Sequence, residues 1–231
     1  MPARAQSGAP ATVEAALAHS QLAKLPTAAR ERLVRESRVV TIASRTYVMR
    51  EGDPARVGLL VSGLLRCLRV NADGQELTLV WACRPGDLFG VPTVVRPPSP
   101  WTFQAVTDLV FVDLPVDALR QLARSDPRVA WALIEHYDRW LRRAVDEILM
   151  YAYGDLRQRI TIRLLELVCL TPPGRPLVAP VTQEDLAHAV GAARPSVARV
   201  LKELRAEGFL RPMYRGILIE RPEALALQLT A

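Results

Sequence analysis

Cysteines and long apolar runs are scarce in this chain of 231 residues. Its 3 cysteines, Cys67, Cys83 and Cys169, are far apart and odd in number, which argues against a disulfide framework and fits a reducing compartment. No run of about 18 uncharged apolar residues is present, so no membrane-spanning helix is predicted. The N-terminal residues also lack the continuous apolar segment of an export signal. We therefore expect a cytoplasmic protein that does not enter a membrane.

Sequence motifs of catalysis are missing as well. The chain contains no GxxxxGK[ST] phosphate loop, no HExxH zinc motif and no GxSxG nucleophile motif. Its 3 histidines, His19, His136 and His188, stand alone in the sequence, which is more typical of surface or capping residues than of metal ligands. We therefore expect no catalytic residue, no metal site and no enzyme activity.

The charge balance, by contrast, favours one class of partner. The 30 lysines and arginines exceed the 24 acidic residues, for a formal net charge of +6. An excess of this size is compatible with a polyanionic partner, although a solvated basic surface would produce it too. From Gly154 to the end there are 11 basic and 8 acidic residues, so the C-terminal part is the more basic per residue.

Residues 39–114 are built of short apolar runs bounded by turn residues, a pattern typical of β-strands. The dipeptide Asp73–Gly74 is a strong signal for a hairpin. Four glycines recur at intervals of 11 or 12 residues and are each interpreted as a turn between strands: Gly52, Gly63, Gly74 and Gly86. The regular spacing predicts an all-β roll or barrel, with an ordinary β-sandwich as the alternative.

A long helical pattern with a heptad seam follows between residues 128 and 153. The predicted seam consists of Ala130, Ile134, Tyr137, Leu141, Ala144, Ile148 and Tyr151. The seam predicts a dimer interface, but it covers only about three heptads, so packing against the chain's own β-roll remains open. Gly154 interrupts the pattern and predicts the start of a new domain.

A helix-turn-helix is predicted between residues 182 and 208. Thr182 can cap the first helix, and Gly191 ends it. Pro195 falls in the first turn of the second helix, where its missing N–H costs nothing. The second helix carries a stripe of apolar residues at the spacing of a buried face: Val197, Val200, Leu201 and Leu204. The opposite face is basic, as in a helix that enters the major groove of DNA.

Two short extended runs after Gly208, with a turn at Arg215 and Gly216, predict the hairpin wing of a winged helix. The predicted DNA-binding residues of helix, cap and wing are Arg194, Ser196, Arg199, Lys202, Thr182, Tyr214 and Arg215. The expected partner is double-stranded DNA. A winged helix that binds another protein is the rival interpretation.

The order of these parts resembles the cyclic-AMP receptor protein and fumarate-nitrate reductase regulator (Crp/Fnr) family of bacterial transcription factors. The segments REGDPA and GDLFG and the run VTQEDLAHAVGAARPSVARVLKELRAEGFL carry the resemblance. It implies an α+β fold of two domains, with a jelly-roll domain like the cyclic-nucleotide-binding domain, a long dimerisation helix and a C-terminal winged helix-turn-helix. The predicted divisions are residues 1–126, 127–153 and 154–231.

The resemblance also implies how DNA would be bound and read. A homodimer would bind an inverted-repeat operator and act on transcription by contacting or obstructing RNA polymerase. Arg194 and Arg199 would read guanines, and Ser196 would touch backbone or base. Pro195 stands where the family often has a glutamate that accepts from cytosine, so we expect that cytosine to be read weakly or not at all.

The sensor segment departs from the cyclic-AMP-binding members of the family. Val91 replaces a glutamate that holds the ribose, and Ser99 with Pro100 replaces an Arg-Ser pair that holds the phosphate. Ala144 and Val145 replace hydroxyl residues that meet the adenine. The residues assigned to an effector pocket are Phe89, Gly90, Arg96, Ser99, Trp101 and Val145.

We therefore predict that cyclic AMP is not bound in the family's usual way. The β-roll would sense another molecule, for example an apolar or aromatic one, or none. The alternative is a cyclic-AMP-dependent regulator with a rearranged phosphate-binding segment, in which Arg96 substitutes for the lost arginine. No cofactor is predicted, since the chain lacks the four clustered thiols of an iron–sulfur member and paired axial ligands for haem.

Overall fold

The computed structural model describes residues 4–6, 10–82, 84–168, 171, 174–214 and 216–229. The chain divides into two compact units, one formed by residues 1–68 and 80–143 and the other by residues 69–79 and 144–231. The sequence-based divisions at 126/127 and 153/154 differ from these units in two ways. The boundary falls inside the long helix, and a short segment from the β-roll region groups with the C-terminal residues.

The elements of the first unit begin with strand β1 and a small group of helices. Their bounds are β1 Arg4–Gln6, α1 Pro10–Ala18, a 3₁₀ helix Gln21–Lys24, and α2 Thr27–Glu36. The roll strands follow as β2 Arg38–Ile42, β3 Tyr47–Met49, β4 Val57–Ser62, β5 Leu65–Val70, β6 Glu76–Ala82, β7 Leu88–Phe89, β8 Thr102–Ala105 and β9 Leu109–Leu114. The helices of this region are α3 Pro92–Val95, α4 Val116–Ser125 and α5 Pro127–Tyr153.

Two antiparallel sheets make the roll, one in the order β1-β2-β9-β4-β7 and one in the order β3-β8-β5-β6. Large apolar side chains fill its core, and among them Leu59, Leu65 and Phe111 have no exposed surface. Each such side chain contributes about 1.5–3 kcal/mol when buried. Helices α1, α2 and α4 add leucines such as Leu17, Leu33 and Leu119 to a core cluster shared with the strands. The β-roll predicted for residues 39–114 is therefore present, with the short helix α3 between β7 and β8.

The four glycines predicted as turns all have positive φ angles, between +78° and +98°. At Gly63, a side chain would in addition collide with the backbone carbonyl of Asp108, and at Gly86 with that of His19. Glycine tolerates both the left-handed conformation and the close approach. The recurrence of glycine therefore reflects turn geometry, as the spacing indicated.

The hairpin between β5 and β6 forms at the predicted dipeptide Asp73–Gly74. The side-chain oxygen of Asn71 accepts hydrogen bonds from the backbone N–H groups of Asp73 and Gln75, at 3.0 and 2.9 Å. The backbone N–H of Asn71 donates to the carbonyl of Gln75 at 3.0 Å. Asparagine commonly closes turns in this way.

Helix α5 has 27 residues and exposes a stripe of large apolar side chains along one face. The stripe consists of Trp131, Ile134, Leu141, Val145 and Ile148, which are 46% to 65% exposed. It shares Ile134, Leu141 and Ile148 with the predicted seam but not Ala130, Tyr137, Ala144 or Tyr151, which are half-buried.

The difference between seam and stripe has a physical reason. Tyr137 packs against the core cluster of the first unit. In the second unit, the hydroxyl of Tyr151 donates to the carbonyl of Ala189 at 2.7 Å. Tyr137 and Tyr151 therefore make contacts within the chain. The exposed apolar stripe instead includes Trp131 and Val145, which the heptad pattern alone did not select.

The second unit is a helical domain with a small antiparallel sheet in the order β10-β12-β11. Its elements are α6 Leu156–Val168, β10 Val178–Ala179, α7 Gln183–Val190, α8 Arg194–Ala206, β11 Leu210–Met213, β12 Gly216–Ile219 and α9 Pro222–Leu227. Residues on α6, α7 and α8 form its core, among them Ile160, Leu164, Leu186 and Leu201.

Candidate nucleic-acid interface and effector cavity

Helix α7 begins with a reciprocal cap between Thr182 and Asp185. The Thr182 hydroxyl accepts from the backbone N–H of Asp185 at 3.2 Å, and the Asp185 carboxylate accepts from the backbone N–H of Thr182 at 2.8 Å. The Thr182 hydroxyl also donates to that carboxylate at 2.7 Å. The predicted cap is therefore present. Because this hydroxyl proton is already engaged, Thr182 offers DNA no hydroxyl donor without loosening the cap.

A three-residue turn at residues 191–193 joins α7 to α8. Gly191 has φ 60° and ψ 42°, the left-handed conformation that often ends helices and that residues with a side chain adopt only at a cost. Helix α8 then starts at Arg194, and Pro195 is its second residue, where no intrahelical donor is required. The proline therefore begins this helix without breaking it, as predicted.

Helix α8 buries one face and leaves the other free. The predicted stripe of Val197, Val200, Leu201 and Leu204 is 0% to 5% exposed. Arg194, Arg199 and Lys202 are exposed, and within the described part of the chain none of them has a hydrogen-bonded or ionic partner for its side chain. Ser196 is half-buried beside this face. Three cations are thus presented together without an internal counter-charge, which suits contact with phosphates or base edges.

The hairpin of β11 and β12 forms the predicted wing, paired in register from Leu210 with Ile219 to Met213 with Gly216. Tyr214 stands at its tip with 91% of its surface exposed. Arg215, the other predicted wing contact, lies outside the described residues. Arg211 is partnered by Glu220, with 2.7 Å between Nε and the carboxylate oxygen, so its charge is largely balanced.

A buried arginine supports the interface from within the second unit and was not predicted. Arg163 of α6 is 1% exposed and forms a bidentate ion pair with Glu147 near the end of α5. It also binds Glu166 at 2.9 Å and donates to the carbonyl of Ala189 in α7 at 3.2 Å. Burial alone would lower the pKa of Arg163, but the two carboxylates raise it above its ordinary value. The sequence signal was a charged residue on the apolar face of α6, three residues after Ile160.

The predicted effector pocket corresponds to a small apolar cavity in the first unit. The cavity has a volume of about 40 Å³, and Phe89, Gly90 and Trp101 are among its lining residues. The Trp101 ring stacks on the ring of Trp140 from α5, with centroids 4.9 Å apart. Since about 10–15 Å³ of such volume is enough for one water molecule, the cavity has room for only a few water molecules.

The other residues assigned to the effector pocket do not line this cavity. Ser99 is 2% exposed and its hydroxyl donates to the carbonyl of Trp101 at 2.7 Å, so it has a structural role. Arg96 is exposed at the end of α3, and Val145 belongs to the exposed stripe of α5. The described lining of the cavity therefore includes three of the six residues assigned to the effector pocket.

The cavity has no cation among its described lining residues that could hold a phosphate. Val91, which follows Gly90, is completely buried. Among the described lining residues the one ionisable base is His136, which is neutral near pH 7, because burial and the charges of Arg139 and Arg143 lower its pKa to about 4, against the opposing charge of Asp87.

A β-roll, a long helix and a winged helix-turn-helix with a free basic face define the class of DNA-binding transcription regulators. The family model of the cyclic nucleotide-binding domain matches residues 39–126, and that of the Crp-like helix-turn-helix domain matches residues 158–227. The chain belongs to the Crp/Fnr family, whose members are transcription regulators and not enzymes. The predicted family and the two-domain α+β fold are confirmed.

Individual relatives agree with this assignment. A CRP-like cAMP-activated global transcriptional regulator of Mycobacterium tuberculosis is 30% identical over 185 residues, which cover 78% of this chain and 82% of that protein. The transcriptional regulator SdrP of Thermus thermophilus is 31% identical over 170 residues, covering 72% and 80%. The crystal structure of a CRP/FNR-family regulator from Thermus thermophilus matches with a TM-score of 0.70 and 27% identity, covering 84% of this chain and 98% of that chain.

Over the described residues, no helix is long and apolar enough to cross a membrane.

Proposed function

We propose that the protein acts in the cytoplasm as a homodimeric regulator that binds an inverted-repeat operator through α8. The observation that carries the proposal is the free basic face of α8, opposite a fully buried apolar face. The exposed apolar stripe of α5 is the surface on which two copies would join, since five large apolar side chains in water are unfavourable in a monomer. Two α8 helices would then enter major-groove sites about 34 Å apart. Contact with or obstruction of RNA polymerase would convert binding into regulation.

Within each half-site, Arg194 and Arg199 would read guanines by paired hydrogen bonds, and Lys202 would contact phosphate. Ser196 would add a contact to backbone or base. Pro195 carries no acceptor, so the base opposite it is selected weakly. We therefore expect a half-site in which two positions are strongly specified and the position between them tolerates more than one base.

The regulator would not be activated by cyclic AMP in the family's usual way. The Mycobacterium tuberculosis relative is described as cAMP-activated. Here the cavity in the predicted effector region is about 40 Å³, is lined by the stacked Trp101 and Trp140 rings, and has no cation among its described lining residues. Placing a phosphate there would leave its charge desolvated and unpaired, which is strongly unfavourable. A cyclic-AMP-dependent protein with Arg96 as a substitute ligand is the alternative, and it requires α3 and its following segment to rearrange.

The DNA-binding proposal is tested by selecting binding sites from random DNA with the full-length protein and no added small molecule. Arg194→Ala and Arg199→Ala should each weaken binding to the selected operator by about 5-fold to 100-fold and relax selection at one guanine per half-site, since a paired arginine contact discriminates by about 1–3 kcal/mol. Arg205→Ala is the matched control, because it removes the same charge from an exposed position nearer the end of α8.

Three results decide between the interpretations of the winged helix, and a fourth tests the effector part of the proposal. Loss of selectivity in the first two variants but not in Arg205→Ala supports the proposed reading helix. Equal effects in all three would mean that the helix supplies only general positive charge. Recovery of no motif would mean either that an effector must first align the two α8 helices or that the winged helix binds protein. Calorimetry that finds micromolar binding of cyclic AMP would contradict the effector part of the proposal.

A further inference from the structure

A second and larger cavity lies beside the apolar one in the first unit. It is a cleft of about 290 Å³ between the end of β6, the turn that contains Gly86, and α5. Trp81 and Trp140 form aromatic parts of its wall. The cleft shares His136 and Trp140 with the apolar cavity but differs from it in charge. It is not the cavity to which the effector residues of the family were assigned.

The described lining of the cleft has three arginines and one carboxylate. Arg84, Arg139 and Arg143 line it together with Asp87. Over the described residues, no guanidinium among these three arginines has a hydrogen-bonded or ionic partner. Two of the arginines are one turn apart on α5, so they present their guanidinium groups side by side. The resulting excess of positive charge in a concave site attracts anions.

Other groups in the wall agree with this electrostatic picture. His136 is partly buried in the same wall, and the positive charges of Arg139 and Arg143 act with burial to lower its pKa to about 4. The indole N–H of Trp81 and the side-chain oxygen of Gln21 are buried and have no hydrogen-bond partner among the described residues. Small rotations of these side chains would let a ligand with both acceptor and donor groups satisfy them.

We propose that this cleft binds a small organic anion with at least two negative charges, either a hydroxylated di- or tricarboxylate or a phosphorylated hydroxy acid. The shared chemistry is a pair of anionic groups on a short carbon skeleton. Arginine suits such groups because its planar fork forms paired hydrogen bonds with carboxylate or phosphate oxygens. The carbon skeleton would lie against Trp140. The volume of the cleft admits a metabolite of this size, whereas small-molecule sites for larger ligands run from about 300 to 1,000 Å³.

The two α5 arginines of the cleft lie on a different side of that helix from most of the exposed stripe. At about 100° per residue, Arg139 and Arg143 lie roughly half a turn around the helix from Leu141 and Ile148. We therefore expect the guanidinium groups of these two arginines to face away from a second copy joined along the stripe. A bound anion would contact α5, the helix along which the two copies would join. Ligand binding would therefore act directly on the helix that sets the dimer geometry. The binding site itself depends on neither the dimer nor DNA.

The test is isothermal titration calorimetry of the full-length protein at constant ionic strength. Citrate and 3-phosphoglycerate are the two probes, and they distinguish a polycarboxylate from a phosphorylated ligand. At least one of them should bind with a Kd below about 1 mM. Arg139→Gln and Arg143→Gln should each weaken that binding about 10-fold, since each removes a charge-assisted hydrogen-bond donor.

Arg142→Gln is the matched control. It removes an exposed arginine of the same helix that pairs with Asp138 at 2.9 Å and does not line the cleft. Its affinity for the probe should stay within about 2-fold of the wild type. Absence of binding for both probes overturns the proposal. Equal losses in all three variants also overturn it, because they would indicate diffuse attraction to a basic surface.

A footprint on the wild-type protein gives a second measurement that needs no variant. Phenylglyoxal modifies accessible arginines, and mass spectrometry locates the modified residues. The probe that binds should slow modification of Arg139 and Arg143 and leave Arg142 unchanged. Uniform protection, or none, contradicts a bound anion in the cleft. Because neither measurement involves DNA, their failure would leave the proposed operator binding untouched, and the reverse also holds.

Discussion

Protonation of His136 should destabilise the first unit as the pH falls below about 6.5. Burial, together with the charges of Arg139 and Arg143, lowers the pKa of this imidazole from 6.5 to about 4, although Asp87 acts in the opposite direction. Between these two values the unfolded chain binds a proton at His136 and the folded chain does not. The free energy of unfolding therefore rises with pH across this window, and the contribution is complete above about pH 6.5.

The magnitude follows from the difference between the two pKa values. Each unit corresponds to about 1.4 kcal/mol, so the fall from 6.5 to about 4 corresponds to at most about 3 kcal/mol. The measured value should be smaller, because the ring is only partly buried and local opening admits water. In His136→Gln the titrating group is gone, so the difference in stability between wild type and variant should change with pH by about 1–3 kcal/mol.

Urea unfolding followed by tryptophan fluorescence is the suitable assay, because all 4 tryptophans belong to the first unit. Wild type and His136→Gln are compared at several values between pH 4 and pH 7.5, in buffers free of polycarboxylates and with chloride as the supporting anion. Chloride is required because a polycarboxylate in the cleft would favour the protonated imidazole and flatten the wild-type curve. Parallel curves for the two proteins across this range would refute the reasoning.

Two further substitutions probe the two units separately. Arg163→Met leaves the Glu147 carboxylate without its partner and removes the hydrogen bond to Ala189, so it should destabilise the second unit by about 3–5 kcal/mol. Hydrogen exchange of α6 and α7 measures the loss of stability. A change below about 1 kcal/mol would contradict a buried structural ion pair. Gly58→Ala places a methyl group against the ring of Phe89 and should cost about 1–3 kcal/mol in thermal unfolding of the first unit, whereas an unchanged Tm would mean that the ring moves freely.

The winged helix was predictable because its signals are local. A cap at Thr182, a left-handed glycine at Gly191 and a proline in the first turn of α8 each act within a few residues, so sequence alone locates them. The glycine-spaced turns of the roll are predictable for the same reason, since a positive φ is a property of one residue.

The exposed face of α5 was less predictable, because periodicity does not say which apolar side chains the rest of the chain will cover. Tyr137 and Tyr151 fit a heptad as well as Trp131 and Val145 do. Packing against the first unit's core uses Tyr137, and a hydrogen bond within the second unit uses Tyr151. The exposed stripe consists of apolar side chains that these contacts leave uncovered, so it can be identified only once the contacts are known.

The effector region was hardest to predict, since its properties arise from residues far apart in the sequence. The residues that stand at positions 91 and 99 were visible in the sequence, but not the stacking of the Trp101 ring on the Trp140 ring beside the cavity. The basic cleft was not visible either, because it joins a turn near Gly86 to one face of α5. A site whose residues lie far apart in the sequence has no local pattern by which it could be recognised.

The two cavities of the first unit differ in the chemistry of the ligand that each would accept. A phosphate placed in the apolar cavity would lose its hydration and gain no cation, and the described lining offers little besides aromatic rings and aliphatic groups. An anion in the cleft keeps partial contact with water and gains guanidinium partners, so its desolvation cost is smaller and its attraction larger. If the charges of the site select the ligand, a small multivalent metabolite anion should outcompete a cyclic nucleotide. Competition between the bound probe and cyclic AMP in calorimetry would then show no displacement at equal concentration.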